Sequence, residues 1–562
     1  MSFSIFERRL ALRTVKALSN QRTSSAANAR KAYSSSLQAR RSERVSAFTH
    51  LVFAAGATGL LGSYFFYSAP VAHAEAPPAG RTIRLSEVRK HGAKAERRWV
   101  VKGSKVYDIT DWIPNHPGGE VILRAVGGVI DPYWEIFTIH KKKDVYDILE
   151  QYYVGDLDPR DLIDGKVPSN DIEDPFQTDP QRDSRLVVHS SRPFNAETAP
   201  TDLATFITPN NTFYVRHHLW VPQIDPKSHK LQIELPDGEE LEYSMEDLKT
   251  KVGHGTTFKP VTVTCTLQCS GNRRQHMNEE ARATNGLPWD VGAISNAVWT
   301  GVRLRDVLAD AGFDVNEYDD SGVRHAQFQG AEAYGASIPI EKAVGRREDV
   351  LLVYEMNGEP LPADHGYPLR VLVPGNVAAR SVKWLKRIVL SDEESQSQWQ
   401  QRDYKCFGPN QGGQNVDWSK APAIQEMPVQ SVITSLRNAS PRSADDQKLL
   451  RVYGMEEDAV EVEGYAFAGG GRRIIRVDIS PDDGRSWYQA ELIPEETHGN
   501  KSWAWTRWRW LVPRRLAGRQ FVVKAVDEGY NVQPESYEPH YNFRGNLTSG
   551  WHRVPYSKQR RD

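Results

Sequence analysis

The stretch "VTVTCTLQCSGNRR", residues 261–274, decides how the centre of this chain folds. Its first residues are β-branched and favour a strand, and Ser270-Gly271-Asn272 favours a tight turn after it. Cys269 lies at the junction, with Arg273 and Arg274 just beyond. A buried cysteine is usually a small core residue, but a soft thiolate also suits a transition metal, and the paired arginines would favour the thiolate and attract an anion. The stretch alone leaves both interpretations open.

The other two cysteines show no pattern of their own. Three cysteines in 562 residues exclude a disulfide framework. Cys265 precedes Cys269 by four residues, and such a pair without further cysteine or histidine nearby makes a poor zinc site. We therefore expect Cys265 to be a core residue, and we assign no role to Cys406.

Length and charge limit the class of protein. A chain of 562 residues is long enough for roughly three or four domains. Its hydrophobic content of 39% is typical of soluble globular domains. The formal net charge is −1, but residues 75–562 hold 61 basic and 70 acidic side chains, which gives −9. This acidity argues against a nucleic-acid partner and is compatible with a basic protein partner.

The first 74 residues have the composition of a targeting leader. Residues 1–46 carry ten Lys/Arg against two acidic residues and are rich in Ser and Ala, as in a mitochondrial presequence. Residues 45–74 contain no Arg, Lys, Asp or Glu and include an apolar run that is long enough to cross a bilayer. The segment ends in "AHA" (72–74). We expect sorting to the mitochondrial intermembrane space with cleavage after this run. The alternative is a retained anchor, the one route by which we expect membrane contact.

The rest of the chain changes character several times. Residues 80–158 mix strand and helix patterns, and the acidic, proline-containing stretch 159–185 predicts a flexible hinge with little to bury. Residues 186–398 mix short strands and helices, including a helix over 303–312 and a buried strand over 368–374. Residues 399–556 are almost wholly strand-like, with a hairpin turn at Asp483-Gly484, and predict a β-sandwich.

Two histidines form the first candidate metal site. "IPNHPGGEVIL" places His116 before a Pro-Gly-Gly turn, and His140 follows 24 residues later in "IFTIH". Glycines 118 and 119 would let a flat ligand approach the backbone closely. Two imidazoles on opposite sides of an apolar slot would fill both axial positions of a haem iron, leaving a centre that moves electrons. By spacing alone, two ordinary histidines are the stronger interpretation.

The wider pattern resembles two known domains. "VYDITDWIPNHPGGEVIL…AVGG…DPYWEIFTIH…VGDL" resembles the cytochrome b5-type haem domain, in which His116 and His140 match the axial ligands of haem b. "VTCTLQCSGNRR…GLPWDVGAISNAVWTGVRLRDVL…LLVYEMNGEPLPADHGYPLRVLVPG…ARSVKWL" resembles the molybdenum-cofactor domain of the sulfite oxidase family. The order of the segments is similar to that of the animal-type members of this family. The resemblance implies a multidomain α+β fold: a small haem domain, a mixed α+β molybdopterin domain and an immunoglobulin-like β-sandwich that forms a homodimer.

Individual roles follow from the resemblance alone. Cys269 matches the thiolate bonded to molybdenum, and Arg216, Arg274 and Arg544 match the arginines around the anionic substrate, with Trp289 and Tyr404 beside them. The residues that match the pterin-binding positions are Tyr214, Val215, Arg216, His217, His218, Glu332, His365, Arg370, Ser381, Val382 and Lys383. Two positions depart from the animal-type pattern, since Glu332 replaces an aspartate and Cys265 replaces an aliphatic residue.

The resemblance implies oxidation of sulfite to sulfate at a molybdenum–molybdopterin centre. Electrons would then pass through the b-type haem to cytochrome c. A nitrate reductase is the nearest rival, but it normally has the two cofactor domains in the reverse order and a nucleotide-binding domain after them, for which this chain shows no fingerprint. A haem electron carrier on an inert scaffold is a rival of another class, and a methionine-sulfoxide-reducing relative is a third. The cysteine and its arginines argue against an inert scaffold, because a dead site has no need of a soft ligand in a positive pocket.

Overall fold

The computed structural model describes residues 81–557, apart from gaps at 114–115, 117–118, 142, 164–166, 169–173, 251–257, 413–415, 440–446, 449–450 and 452–458. The predicted leader and Gly118 lie outside the described residues. Within the described part of the chain, no helix combines the length and apolar character needed to cross a membrane.

The N-terminal region is a four-stranded sheet with short helices around it. Its strands are β1 (Thr82–Ile83), β2 (Trp99–Lys102), β3 (Lys105–Asp108) and β4 (Tyr153–Leu157), in the order β1-β4-β3-β2. The helices are α1 (Leu85–Val88), α2 (Asp131–Ile136) and α3 (Lys143–Glu150), with 3-10 turns over Gly119–Ala125 and Thr138–Lys141. An apolar cluster containing Tyr107, Trp134 and Leu149 packs α2 and α3 on the sheet, and Leu85 and Val88 of α1 belong to a second cluster with Val101.

The described part of the predicted hinge is less free than its composition indicates. Phe176 is buried, and its ring lies 5.6 Å from that of Phe137 and 6.3 Å from that of Trp220, measured between ring centres. Arg182 pairs with Asp179 and Asp364. One aromatic ring and one arginine therefore fix residues 176–182 against the regions on either side, which acidity and proline content do not reveal.

The central region contains three sheets. A small sheet joins β5 (Val187–Ser191), β6 (Phe194–Glu197) and β7 (Val215–Arg216). A five-stranded sheet has the order β13-β12-β17-β8-β9, and a second is built on β10-β11-β14-β15, with β16 paired to β14. The strands of these two sheets are β8 (Lys230–Glu234), β9 (Glu240–Ser244), β10 (Val261–Gln268), β11 (Ile294–Arg303), β12 (His325–Gly330), β13 (Gly335–Pro339), β14 (Leu351–Met356), β15 (Glu359–Pro360), β16 (Arg370–Leu372) and β17 (Leu385–Ser391).

Five short helices pack on these sheets. They are α4 (Met245–Thr250), α5 (Arg274–Glu280), α6 (Leu304–Asp310), α7 (Ile340–Val344) and α8 (Gln398–Gln401). Helix α6 occupies most of the span predicted at 303–312, and Gly312 after it has a φ of +99°, a left-handed conformation that glycine adopts without strain. Strand β10 lies at the end of its sheet and pairs along its whole length with β11, and its residues are buried from Val263 onward.

The C-terminal region is the predicted sandwich of two four-stranded sheets. One sheet has the order β18-β19-β23-β22 and the other β21-β20-β24-β25. The strands are β18 (Gln430–Ala439), β19 (Ala459–Phe467), β20 (Ile474–Ser480), β21 (Tyr488–Gln489), β22 (Glu491–Leu492), β23 (Thr506–Pro513), β24 (Gln520–Asp527) and β25 (His552–Pro555). Val462 and Trp508 of the first sheet share one core with Val477 and Phe521 of the second. The multidomain α+β fold with a C-terminal sandwich is thus confirmed.

Candidate active site

The thiol of Cys269 is fixed by the turn that ends β10. Its backbone N–H donates to the carbonyl of Ala293 (2.9 Å), and its own carbonyl accepts from the N–H of Asn272 (3.0 Å). The side-chain oxygen of Asn272 accepts from the N–H of Ala293 (3.0 Å). The turn and the strand end therefore hold a buried sulfur in one place, at the wall of a pocket.

The two arginines after the turn diverge. Arg274 folds back over it: its guanidinium donates to the carbonyls of Arg544 (2.9 Å) and Leu287 (2.8 Å). A Cβ on Gly271 would lie 2.4 Å from that guanidinium, so only glycine leaves space for it. Arg273, with a φ of +66°, is buried on the other side and donates to the hydroxyl of Tyr537 (2.6 Å). The expectation that both arginines serve the thiol is wrong for Arg273, because the left-handed backbone there directs successive side chains apart.

Three arginines still converge near the sulfur. Burial lowers the pKa of Arg274, the Cys269 thiol raises it, and the charges of Arg544 and Arg216 lower it further. Arg544 forms an ion pair with Asp403, a residue that the sequence did not single out. Arg216 donates to the side-chain oxygen of Asn195 (3.2 Å) and to the carbonyl of His217. The result is a positive zone beside a soft ligand, which suits a small anion.

Tyr404 and His218 form a polar pair on the same wall. The Tyr404 hydroxyl lies 3.0 Å from Nε2 of His218, whose ring stacks on Tyr334 at 4.9 Å between ring centres. Burial raises the pKa of Tyr404 to about 12 and, together with Arg216, lowers that of His218 well below its usual value. Tyr404 therefore keeps its proton at neutral pH and His218 is uncharged.

The empty space in the pocket beside Cys269, including its open mouth, is about 690 Å³. Its lining contains most of the side chains expected to bind the pterin. They are Tyr214, Arg216, His217, His218, Glu332, His365, Arg370, Ser381, Val382 and Lys383. The same wall includes Cys269 and Tyr404, together with unpredicted residues such as Tyr334 and Trp384.

Four expected residues lie outside that lining. Val215 packs with Leu186 and Ala196 in a small core. Trp289 is buried in the cluster that contains Cys269, with its ring 5.0 Å from that of His189. Arg274 and Arg544 lie next to each other beside the Cys269 turn. Trp289 shares a cluster with Cys269, and the charges of Cys269 and Arg544 both act on Arg274, whereas Val215 lies in a separate cluster.

The donors and acceptors of the pocket fit a molybdopterin. Arg370 spends two N–H groups on the carbonyls of His365 and Ser381 (both 3.0 Å), and its Nε–H has no partner among the described residues. Glu332 Oε2 is likewise buried without a partner, and burial raises the pKa of this carboxyl to about 8, so it is protonated at neutral pH. Cationic side chains suit an anionic, phosphate-bearing pterin, and the thiol of Cys269 suits molybdenum.

A continuous seam joins the Cys269 turn to the C-terminal region. The N–H of Leu547 donates to the carbonyl of Ser270 (2.7 Å), and the Ser270 hydroxyl donates to the side chain of Asn546 (2.9 Å). Arg274 is held by the Arg544 carbonyl on the same segment. Residues 544–547 are therefore part of the wall around the thiol, although they lie about 270 residues away in the chain.

The two candidate haem ligands face each other. The ring centres of His116 and His140 lie 6.2 Å apart, and Trp134 stacks on His140 at 4.5 Å. An iron between the rings needs about 2 Å for each metal–nitrogen bond and about 1 Å more to each ring centre, or about 6 Å in total. Burial lowers the pKa of His140, which favours the neutral imidazole that a metal requires. The pair thus fits a haem.

Comparisons with known proteins agree with this architecture. Residues 84–158 match the family model described as cytochrome b5-like heme/steroid binding domain. Residues 218–399 match the oxidoreductase molybdopterin binding domain, and residues 421–559 match the Mo-co oxidoreductase dimerisation domain. The haem domain precedes the molybdopterin domain, contrary to the order that we expect of a nitrate reductase.

Whole-chain relatives carry the assignment further. Sulfite oxidase of Gallus gallus is 44% identical over 487 residues, covering 85% of this chain and all of that protein. Mitochondrial sulfite oxidase of Homo sapiens is 43% identical over 479 residues, covering 83% of each. The solved sulfane dehydrogenase SoxCD of Paracoccus pantotrophus has a TM-score of 0.51 and 26% identity over 66% of this chain and 86% of that one. With a buried cysteine, converging arginines and two opposed histidines in place, the chain belongs to the sulfite oxidase family.

Proposed function

We propose that this enzyme oxidises sulfite to sulfate in the pocket at Cys269 and passes the electrons through a b-type haem to cytochrome c. The observation that carries the proposal is the buried thiol with Arg216, Arg274 and Arg544 around it, in a chain 44% identical to a sulfite oxidase over 85% of its length. When bound, the molybdenum–molybdopterin supplies the two-electron oxidation and the transfer of an oxygen that water replaces.

The chain's own residues place and charge-balance the reactants. Cys269 provides the protein thiolate for molybdenum. Arg216, Arg274 and Arg544 hold the oxygens of the sulfite dianion, whose charge relieves their mutual repulsion. Tyr404, which keeps its proton, donates a hydrogen bond to a substrate oxygen, and Trp289 closes the apolar side of the thiol turn.

The pterin-binding role falls to the remaining pocket residues. Arg370 and Glu332 offer an unpartnered N–H and a protonated carboxyl to the pterin and its phosphate. His217, His218, His365 and Lys383 line the same wall with Tyr214, Ser381 and Val382. Val215 acts through β7, whose next residue, Arg216, reaches the pocket.

His116 and His140 would hold the iron of a b-type haem between their rings. With both histidines bound to it, that haem would supply electron transfer and would leave no position for oxygen. Phe137, three residues before His140, touches Trp220, which follows the pocket residues His217 and His218. The haem region and the molybdopterin region therefore pack against each other at these aromatic side chains.

Partners and location follow from the relatives and from charge. The C-terminal match to a dimerisation domain supports a homodimer. The human relative is mitochondrial by name, and the basic, Ser/Ala-rich leader with its apolar run supports the intermembrane space in particular. The net charge of −9 without the leader suits the basic surface of cytochrome c.

The test is sulfite-dependent reduction of cytochrome c by the purified enzyme, with molybdenum, pterin and haem quantified. We expect near-equal amounts of molybdenum and haem and a reduction that requires sulfite. A parallel assay with a small artificial acceptor separates sulfite oxidation from delivery to cytochrome c. Loss of both activities in enzyme that contains both cofactors would refute the proposal, and loss of the cytochrome c reaction alone would refute only that partner.

A further inference from the structure

A chain of charged groups runs from the hinge into the floor of the pocket. The guanidinium of Arg182 donates from Nε and Nη2 to the two carboxylate oxygens of Asp364 (3.1 and 2.9 Å). Asp364 Oδ1 also lies 2.9 Å from Nε2 of His217, and His217 Nδ1 lies 2.7 Å from Nζ of Lys383. Arg182, from the predicted flexible segment, thus connects through one carboxylate to two pocket residues.

The hydrogen bonds fix the proton positions in this chain. Burial raises the pKa of Asp364, but hydrogen bonds from His217 and Arg182 hold this pKa well below its usual range, so the carboxylate can only accept and Nε2 of His217 carries the proton. Nδ1 of the neutral imidazole then accepts from Lys383, whose pKa burial lowers to about 7. Lys383 also donates to the carbonyls of Asp364 (2.9 Å) and Arg216 (3.2 Å). These three contacts tie the 216–217 segment to the 364 turn at the wall of the pocket.

The same segment is held a second time by Asp179. Its Oδ2 pairs with Arg182 (2.9 Å), and its Oδ1 accepts from the backbone N–H of Val221 (2.9 Å), just beyond the pocket residues 216–218. The side chains of Arg182, Asp179 and Asp364 are only 12%, 8% and 11% exposed, so solvent screens these pairs weakly.

We propose that Arg182 is a positioning residue for the cofactor pocket, which acts through Asp364 to keep His217 and Lys383 in the arrangement that receives the pterin. The inference rests on the proposed binding of molybdopterin. It assigns to the end of the hinge a role in the molybdenum site, separate from any role as a tether for the haem domain.

Removal of the guanidinium has a defined electrostatic effect. Without it, Asp364 keeps its negative charge in a nearly closed site with His217 as its remaining side-chain partner. Burial and the charge of Lys383 lower the pKa of His217 to about 3, so its imidazole stays neutral and cannot balance the charge of Asp364. Without Arg182 the carboxylate is held less firmly, and the contacts through which His217 and Lys383 tie the 216–217 segment to the 364 turn weaken.

The experiment compares full-length Arg182→Met, Arg182→Lys and Arg185→Met enzymes with wild type. Arg185 is the matched control, since it also pairs with aspartates (Asp183 and Asp202) but is exposed and makes no contact with Asp364. For each variant, pterin released from purified enzyme is quantified by fluorescence after incubation at neutral pH, with haem absorbance and thermal unfolding as checks of folding.

We expect Arg182→Met to lose pterin at least about tenfold faster than wild type, the scale of one charge-assisted hydrogen bond. Arg182→Lys should recover part of this loss, because it restores one positive charge, and Arg185→Met should match wild type. Introducing Asp364→Asn should make the Arg182→Met change nearly silent, because the two residues act in series. Equal pterin retention in Arg182→Met and Arg185→Met would overturn the inference, and so would additive effects of Arg182→Met and Asp364→Asn. Wild-type enzyme that contains no pterin would instead overturn the proposed function on which the inference rests.

Discussion

The haem site and the molybdopterin pocket differ in how their residues are brought together. His116 and His140 lie 24 residues apart on short, irregular segments, and their rings face each other across 6.2 Å. The pocket collects side chains from six separate stretches between Phe213 and Tyr404, and its outer arginine comes from residue 544. One site is local in sequence and completed by its ligand, whereas the other is held in advance by hydrogen bonds between distant segments.

This difference predicts that the two sites fail independently. A haem ligand can be lost without disturbing the pocket, and a pocket residue can be lost without disturbing the haem, as long as the aromatic contacts between the regions remain. The following changes test that independence, beginning with the largest expected effect.

Cys269→Ser should cause the greatest loss. A hard hydroxyl that does not ionise at neutral pH replaces a soft thiolate, so sulfite oxidation should fall by at least about 10³-fold, the scale seen for essential catalytic groups. The haem spectrum should be unchanged. Cys265→Ala is the control: its side chain is fully buried in β10, burial raises its thiol pKa to about 12, and it should keep its activity with only a small loss of stability. If Cys265→Ala were as inactive as Cys269→Ser, the assignment of Cys269 as the metal ligand would be wrong.

His140→Ala should reverse that pattern. With one axial ligand gone, haem binding should weaken and cytochrome c reduction should fall at least about 100-fold, the upper range for disturbed metal centres. Sulfite oxidation measured with a small artificial acceptor should persist near the wild-type rate. Parallel loss of both activities, with molybdenum retained, would show that the sites are not independent.

Arg544→Gln should weaken substrate binding without removing the cofactor. Loss of one charge-assisted contact costs about 1.5–3 kcal/mol, so kcat/KM should fall by about one to two orders of magnitude, mostly through KM. The matched variant Asp403→Asn frees Arg544 from its ion pair and should alter KM less. Steady-state kinetics with molybdenum content measured in parallel decides the matter; an unchanged KM for sulfite in Arg544→Gln would remove this residue from the substrate site.

Glu332→Gln should give the smallest effect and the clearest dependence on pH. Burial raises the pKa of Glu332 from 4.5 to about 8, so the folded wild-type chain holds a proton there that an unfolded chain releases. Stability from this group therefore declines as pH rises through that window, and above about pH 8 a carboxylate would face an anionic pterin. Glutamine mimics the neutral form, so the variant should equal wild type at pH 7 and retain pterin better at pH 9. Identical pH profiles would indicate that Glu332 does not face the pterin.

Local patterns predicted local features well. The histidine pair, the helix that ends before Gly312 and the Asp483-Gly484 turn, where both residues have positive φ, each depend on a few neighbouring residues. The family resemblance also identified most of the pocket residues, because the motifs of a family mark positions that come together only in the folded protein. The directions of Arg273 and Arg274 were not predictable, since adjacent side chains separate according to one backbone angle.

Contacts between distant segments were the main omission. Asp403 pairs with Arg544 from 141 residues away, and Arg182 pairs with Asp364 from 182 residues away. Each looks like a surface charge in its own stretch, and only the packed structure shows that its partner is enclosed. The predicted hinge shows the same limit of sequence analysis. Its overall composition predicts a flexible segment but does not reveal the contacts that Phe176 and Arg182 make.

The contacts between residues 544–547 and the Cys269 turn limit where the polypeptide chain can be divided. A chain that ended near residue 400 would lack the carbonyl that holds Arg274 and the amide that holds Ser270, so the thiol turn would have one side missing. Two halves expressed as separate polypeptides would first have to reassociate along this seam before any turnover appeared. The region that matches the dimerisation domain is thus also part of the wall around the thiol. A substitution in residues 544–547 would therefore disturb the active site as well.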